Sequence, residues 1–204
     1  MLTLTALLAS LLFTTLATAQ YNQSAPFYLQ LLSKNHTLNG TILGACHEGA
    51  AIEGLCAFGT LLPNASATLT YATFQFNTSS FAQPADVYGT PGYLTYDLMG
   101  SNFNLQVSEP LTLSVNPTSN VAGLLFEPSY ASLQVAFDKN NLMNIQSTSD
   151  DSVSPIAYVN KAYYRWYVCT TNLGYTYQTL AWVVGKGKPQ NPTCVATNIT
   201  RVFA

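Results

Sequence analysis

The 204-residue chain draws only 8% of its residues from Asp, Glu, Lys and Arg, against about 25% in an average soluble protein. Its formal charge of −2 has no basic patch behind it, which excludes electrostatic binding to nucleic acid or anionic lipid as the basis of function. Asn, Thr, Ser, Gln and Tyr must therefore supply most of the polar surface.

The chain opens with an uncharged apolar stretch, Met1 to Ala19, whose centre runs from Leu4 to Leu16 and which ends in the small residues Ala17-Thr18-Ala19. That pattern predicts a secretory signal peptide over 1–19, with Gln20 as the new N-terminus. The run is short for a bilayer span of about 20 residues, and no later segment is apolar enough to be one. Residues 20–204 then form a single secreted domain of about 185 residues, long enough for one buried core. Six Asn-x-Ser/Thr sequons, at Asn22, Asn35, Asn39, Asn64, Asn77 and Asn198, predict a glycoprotein in that compartment.

Beyond residue 20, short runs rich in Tyr, Phe, Val, Thr and Leu alternate with Gly, Pro and Asn, and helical periodicity is nearly absent. This predicts an all-β domain, an antiparallel sandwich or barrel. Phe27 to Leu32 reads as a first strand, Lys34 to Gly40 as a polar turn and Thr41 to Ala45 as the return. Cys46-His47-Glu48-Gly49-Ala50-Ala51-Ile52-Glu53-Gly54-Leu55-Cys56 reads as a surface loop closed by its own disulfide. Leu69 to Phe76 alternates as a strand should. Further strands are expected at Gly92 to Leu98, Phe103 to Val107, Leu111 to Val115, Ala122 to Phe126 and Leu133 to Phe137. Asp138-Lys139-Asn140-Asn141 has the turn chemistry to lead into Leu142 to Ile145, and Ser147 to Pro155 is a polar loop. Tyr163 to Thr171 and Tyr175 to Val184 should form a hairpin about Asn172-Leu173-Gly174.

The four cysteines are even in number, as expected of an oxidising compartment. Three pairings exist, and Cys46–Cys56 with Cys169–Cys194 is favoured because each bond closes a local segment. Neither pair has zinc-knuckle spacing, and no motif calls for a metal or a cofactor.

Candidate chemistry is sparse. Glu48 and Glu53, with His47 beside them, could in principle act as paired acid and base, as in glycoside hydrolysis. A zinc-protease helix is ruled out because Ala51 stands where the second His of His-Glu-x-x-His belongs. His47 and Asp97 could join a serine triad on paper, yet no Gly-x-Ser-x-Gly elbow is present. Asp150-Asp151 reads as a solvated turn. In the C-terminal hairpin, Tyr163, Tyr167, Tyr175 and Tyr177 offer an aromatic surface able to stack on sugar rings, although sheet cores use the same residues.

The Cys46-to-Cys56 loop, the turn from Ala136-Phe137-Asp138 to Leu142, Trp166-Tyr167-Val168-Cys169, and Cys194 leading to Arg201-Val202-Phe203 resemble a group of secreted proteins of filamentous ascomycete fungi whose function is unknown. The resemblance implies a fungal extracellular setting and assigns no catalytic residue. The expectation is thus a non-enzymatic extracellular or cell-wall protein. It would recognise wall polysaccharide or another extracellular protein, or serve a structural role. The alternative is a small secreted hydrolase using Glu48 and Glu53. With nine carboxylates and two histidines, stability is expected to depend weakly on pH through the mildly acidic range.

Overall fold

The computed structural model describes residues 21–60, 69–82, 86–100, 106–129 and 131–204. The segment expected to be a signal peptide, the Asn64 sequon and the start of the strand expected at Phe103 lie outside them. Among the described residues, fifteen strands join into one continuous antiparallel sheet that curls around a core. In chain order they are β1 (Tyr21–Gln23), β2 (Phe27–Leu32), β3 (Thr41–Gly49), β4 (Ile52–Thr60), β5 (Gln75–Ser79), β6 (Gly92–Met99), β7 (Gln106–Val115), β8 (Val121–Phe126), β9 (Gln134–Phe137), β10 (Met143–Ser147), β11 (Lys161–Tyr163), β12 (Trp166–Asn172), β13 (Thr176–Val183), β14 (Val195–Ala196) and β15 (Asn198–Phe203). The main path of pairing runs β11-β10-β9-β6-β7-β8-β13-β4-β3-β2-β15.

Alternation explains the inner layer. In β2, Phe27, Leu29 and Leu31 are buried while Tyr28, Gln30 and Leu32 are not, so the strand turns one face to the core. β8 is buried at all six positions, as befits a strand bordered by β7, β13 and β4 and covered on both faces. Phe74, Phe126, Leu124, Leu180 and Trp166 meet in the centre, and each large side chain withdrawn from water stabilises by about 1.5–3 kcal/mol. Trp166 also donates its indole N–H to Met143 O at 2.7 Å, which removes the cost of burying a polar atom.

β7 turns the corner between two parts of the sheet. Its first half pairs with β6, from Met99 opposite Gln106 to Thr95 opposite Pro110. Its second half pairs with β8, from Leu111 opposite Phe126 to Val115 opposite Ala122. The two strands expected on either side of Pro110 are therefore one, and Pro110 falls where the partner changes, a position that tolerates its missing N–H.

The sheet curls far enough for its ends to meet. Leu142 bridges Thr200, Arg201 donates its backbone N–H to Asn141 O at 3.2 Å, and its Nε donates to Asn141 Oδ1 at 2.9 Å. The Arg201 guanidinium lies over Phe137, 4.6 Å from the ring centre. The turn that positions Asn141 follows the expected chemistry: Asp138 Oδ1 accepts from the N–H groups of Asn140 and Leu142, and Asn141 adopts φ +61°.

Both disulfides pair as expected, Cys46 with Cys56 and Cys169 with Cys194. Three local expectations need correction. Residues 46–56 are no surface loop; they complete the β3–β4 hairpin, whose turn is Ala50-Ala51, with Leu55 and Cys56 buried. Leu69 to Phe76 is mostly not strand. Thr70–Ala72 forms a 3-10 turn and β5 starts only at Gln75, because Leu69 O accepts from Ala72 N–H and from the Thr73 hydroxyl and so winds the chain. The run from Tyr163 to Thr171 is divided, Tyr163 belonging to β11 and pairing with β10. The β12–β13 hairpin itself is present, with Trp166 opposite Trp182 and Asn172 opposite Thr176, so its loop is Leu173-Gly174-Tyr175.

Candidate functional site

The β3–β4 hairpin carries the residues that the sequence singles out. Cys46 lies opposite Gly54, and Gly44 lies opposite Cys56. A Cβ on Gly54 would sit 3.0 Å from the Cys46 sulfur, so the glycine leaves room for a diagonal disulfide. A register shift between His47 and Gly49 inserts Glu48 as an extra residue, and a bulge of this kind re-aims a side chain. Glu48 shares a face with Cys46, while Glu53 shares the opposite face with the core residue Leu55. The structure does not bring Glu48 and Glu53 together.

Glu48 instead holds the β12–β13 turn. Its Oε2 accepts the Tyr175 backbone N–H at 2.6 Å, a charge-assisted bond in a buried position. The turn presses so closely on β3 that a Cβ on Gly174 would lie 1.9 Å from Glu48 O. Only glycine fits there.

Glu53 points inward and meets a carboxyl that the sequence reading missed. Glu109 is fully buried, two residues along β7 from the core residue Leu111 and opposite Tyr96 on β6. Its carboxyl lies within hydrogen-bonding reach of Glu53. Two ionised carboxylates offer acceptors only, which would leave both Glu109 oxygens and Glu53 Oε2 without a donor. A proton held between them satisfies the contact. Burial first, then the bond to Glu53 and the charges of Glu53 and Glu127, push the Glu109 carboxyl up to about 8. Burial first, then the charges of Glu53, Glu109 and Asp97, also raise the Tyr96 phenol. Glu127 is engaged separately, its Oε1 accepting from the Thr112 hydroxyl at 2.8 Å.

Glu109 was legible in one respect. Val107, Glu109, Leu111 and Leu113 occupy alternate positions of a single strand, so a carboxyl interrupts an apolar stripe. Pro110 hid the pattern by suggesting a break. The Glu53–Glu109 pair lines none of four well-formed clefts among the described residues. Nor do those residues gather three or more His, Cys, Asp or Glu side chains for a metal. The pair sits within the core, Glu109 fully buried and Glu53 nearly so.

The four candidate tyrosines occupy three places. Tyr175 and Tyr177 are 51% and 37% exposed, with ring centres 6.2 Å apart, and His47 lies 5.6 Å from Tyr175. These three rings form a continuous rim that the Glu48 bond positions. Tyr167 packs against the second disulfide with Cys169 and Ala181. Tyr163 sits on β11 beneath the Lys161 ammonium, 5.3 Å from its ring centre.

Of the described sequons, Asn22, Asn35, Asn39 and Asn198 are exposed. Asn77 is half-buried in β5, between β1 and β6, and donates Nδ2 to Thr95 Oγ1 at 3.1 Å.

Residues 24–203 match a family described as Domain of unknown function (DUF7907). The chain belongs to the DUF7907 family. No curated protein and no solved structure matches it. Among the described residues of this DUF7907 chain, no helix is long and apolar enough to cross a membrane.

Proposed function

We propose that the chain is a secreted fungal glycoprotein of the extracellular space or cell wall, and that it acts by recognising polysaccharide rather than by catalysis. The observation that carries this reading is the exposed rim of Tyr175, Tyr177 and His47. Tyr rings expose an apolar face and a polar tip, which suits the apolar face and hydroxyl edge of a pyranose. The rim is held firmly, because the Glu48 bond and the tight seat of Gly174 fix the Tyr175 backbone, and a preorganised surface loses little entropy on binding. Two disulfides, sparse charge and exposed sequons support the extracellular setting.

The placement of Glu48 and Glu53 on opposite faces of one hairpin weighs against a hydrolase built on that pair, since a glycosidase needs both carboxyls flanking one bond. The test is to pellet the secreted protein with insoluble chitin, β-glucan and cellulose, and to assay soluble sugar in the same tubes. Saturable binding without released sugar is the expected result. Sugar release that survives both Tyr175→Ala and Tyr177→Ala would overturn the reading.

A further inference from the structure

We propose that the groove between the end of β2 and the β12–β14 pair is a docking site for the chain's own N-glycan, borne by Asn198. The inference rests on the secretory reading above but concerns a different surface from the aromatic rim. The groove has a volume of about 430 Å³ and is lined by Leu32, Asn35, Tyr164, Tyr167, Ala196 and Asn198, within the range of cavities that accept small organic molecules. Its walls are tied together: Ser33 donates its hydroxyl to Ala196 O at 3.0 Å, and Thr197 donates to Leu32 O at 3.2 Å. The groove is a fixed feature of the fold.

Register directs Asn198 outward beside this groove. Asn198 pairs with Leu32, and the next pair, Ile199 with Leu31, is buried in the core. Alternation therefore turns Asn198 and the 40%-exposed Leu32 to the outer face together. A sugar on Asn198 Nδ2 begins at the groove's edge. The two tyrosines and Leu32 offer apolar surface to its ring, and the tip of Tyr164 is already fixed by donating to Asp138 Oδ2 at 2.9 Å.

Glycosylation here joins Asn198 Nδ2 to the anomeric carbon of an N-acetylglucosamine. The donor is a lipid-pyrophosphate-linked oligosaccharide, its lipid pyrophosphate leaves, and Nδ2 gives up one proton. Once attached, the innermost sugar covers a groove of mixed apolar and polar lining in the manner of an intramolecular ligand. Asn77 gives the contrast. Its Nδ2 is committed to Thr95 within the sheet, and a glycan there has no comparable seat.

The test uses the full chain secreted from an N-glycosylating eukaryotic host, as wild type and as Asn198→Gln. Site occupancy is read by peptide mass, stability by thermal melting, and groove protection by amide hydrogen exchange. Enzymatic trimming to the first sugar separates its effect from that of the outer antenna. The expected result is an occupied Asn198, a bare Asn77, and a melting temperature kept after trimming but lowered by about 2–4 °C in Asn198→Gln. Exchange at Ser33–Asn35 and Val195–Thr197 should quicken in the same variant. An occupied Asn198 whose loss changes neither melting nor exchange overturns the docking site, and so does a bare Asn198 beside other occupied sequons. Both outcomes leave the secretory reading standing. A chain carrying no sugar at any sequon overturns both together.

Discussion

Replacing Glu109 with glutamine should abolish most of the protein's pH-dependent stability near neutrality. The folded carboxyl is pushed up to about 8 from an ordinary value of 4.5, so between those limits the folded state holds a proton that the unfolded chain releases. A group raised in this way stabilises fully below its unfolded value, and the contribution is lost as pH rises towards its folded value. The slope is about 1.4 kcal/mol per pH unit. From pH 5.5 to 7.5 the wild type should therefore lose on the order of 2–3 kcal/mol, a fall of roughly 5–10 °C in melting temperature for a chain of this size. Glu109→Gln keeps the shape and a donor for Glu53 but removes the titration, so its melting temperature should stay level and exceed that of the wild type at pH 7.5. Asp150 does not interfere. Its bonds from Ser152 hold its carboxyl below the ordinary 3.8, so whatever stability it contributes is lost only beneath this window. Melting both proteins by circular dichroism at fixed ionic strength decides the matter. A wild-type melting temperature that stays level or rises with pH, with the variant running parallel to it, would refute the reasoning.

Two further predictions concern the scaffold. Gly174→Ala forces a methyl against Glu48 O, so the β12–β13 turn must lift from β3; a loss of about 2 kcal/mol or more is expected in a denaturant titration, with quicker exchange of the Tyr175 amide. The Cys169–Cys194 bridge spans 25 residues and Cys46–Cys56 spans 10, so loop-closure entropy assigns them roughly 3.5 and 2.7 kcal/mol. Replacing each pair with alanine should destabilise in that order, and the reverse order by calorimetry would contradict a chain-entropy origin.

How much of this was legible in the sequence varied with the range of the interaction. Local signals read well. The Asp138 turn, the hairpin that pairs Trp166 with Trp182 and the two short-range disulfides all rest on neighbours in the chain. Leu69 to Phe76 misled because its alternating pattern was overridden by backbone and hydroxyl bonds back to Leu69 O. The carboxylates misled for a longer-range reason. Glu48 and Glu53 are close in sequence, yet a bulge and strand alternation send them to opposite faces. Glu109 reaches Glu53 from 56 positions away through the β4–β8–β7 arrangement, which no local pattern encodes. The expectation of weak pH dependence stands against the Glu109 prediction, and the melting experiment decides between them. That expectation counts titratable groups, whereas the Glu109 prediction rests on one fully buried carboxyl.

The central claim is recognition of polysaccharide through the Tyr175–Tyr177 rim, and the most direct measurement is a binding isotherm on insoluble wall polysaccharide for the wild type and for Tyr175→Ala/Tyr177→Ala. At about 1 kcal/mol for each stacked ring, the double variant should bind on the order of 30-fold more weakly while melting within a few degrees of the wild type. Equal affinity in the two folded proteins, or no saturable binding by the wild type to any of the polysaccharides, would contradict the account.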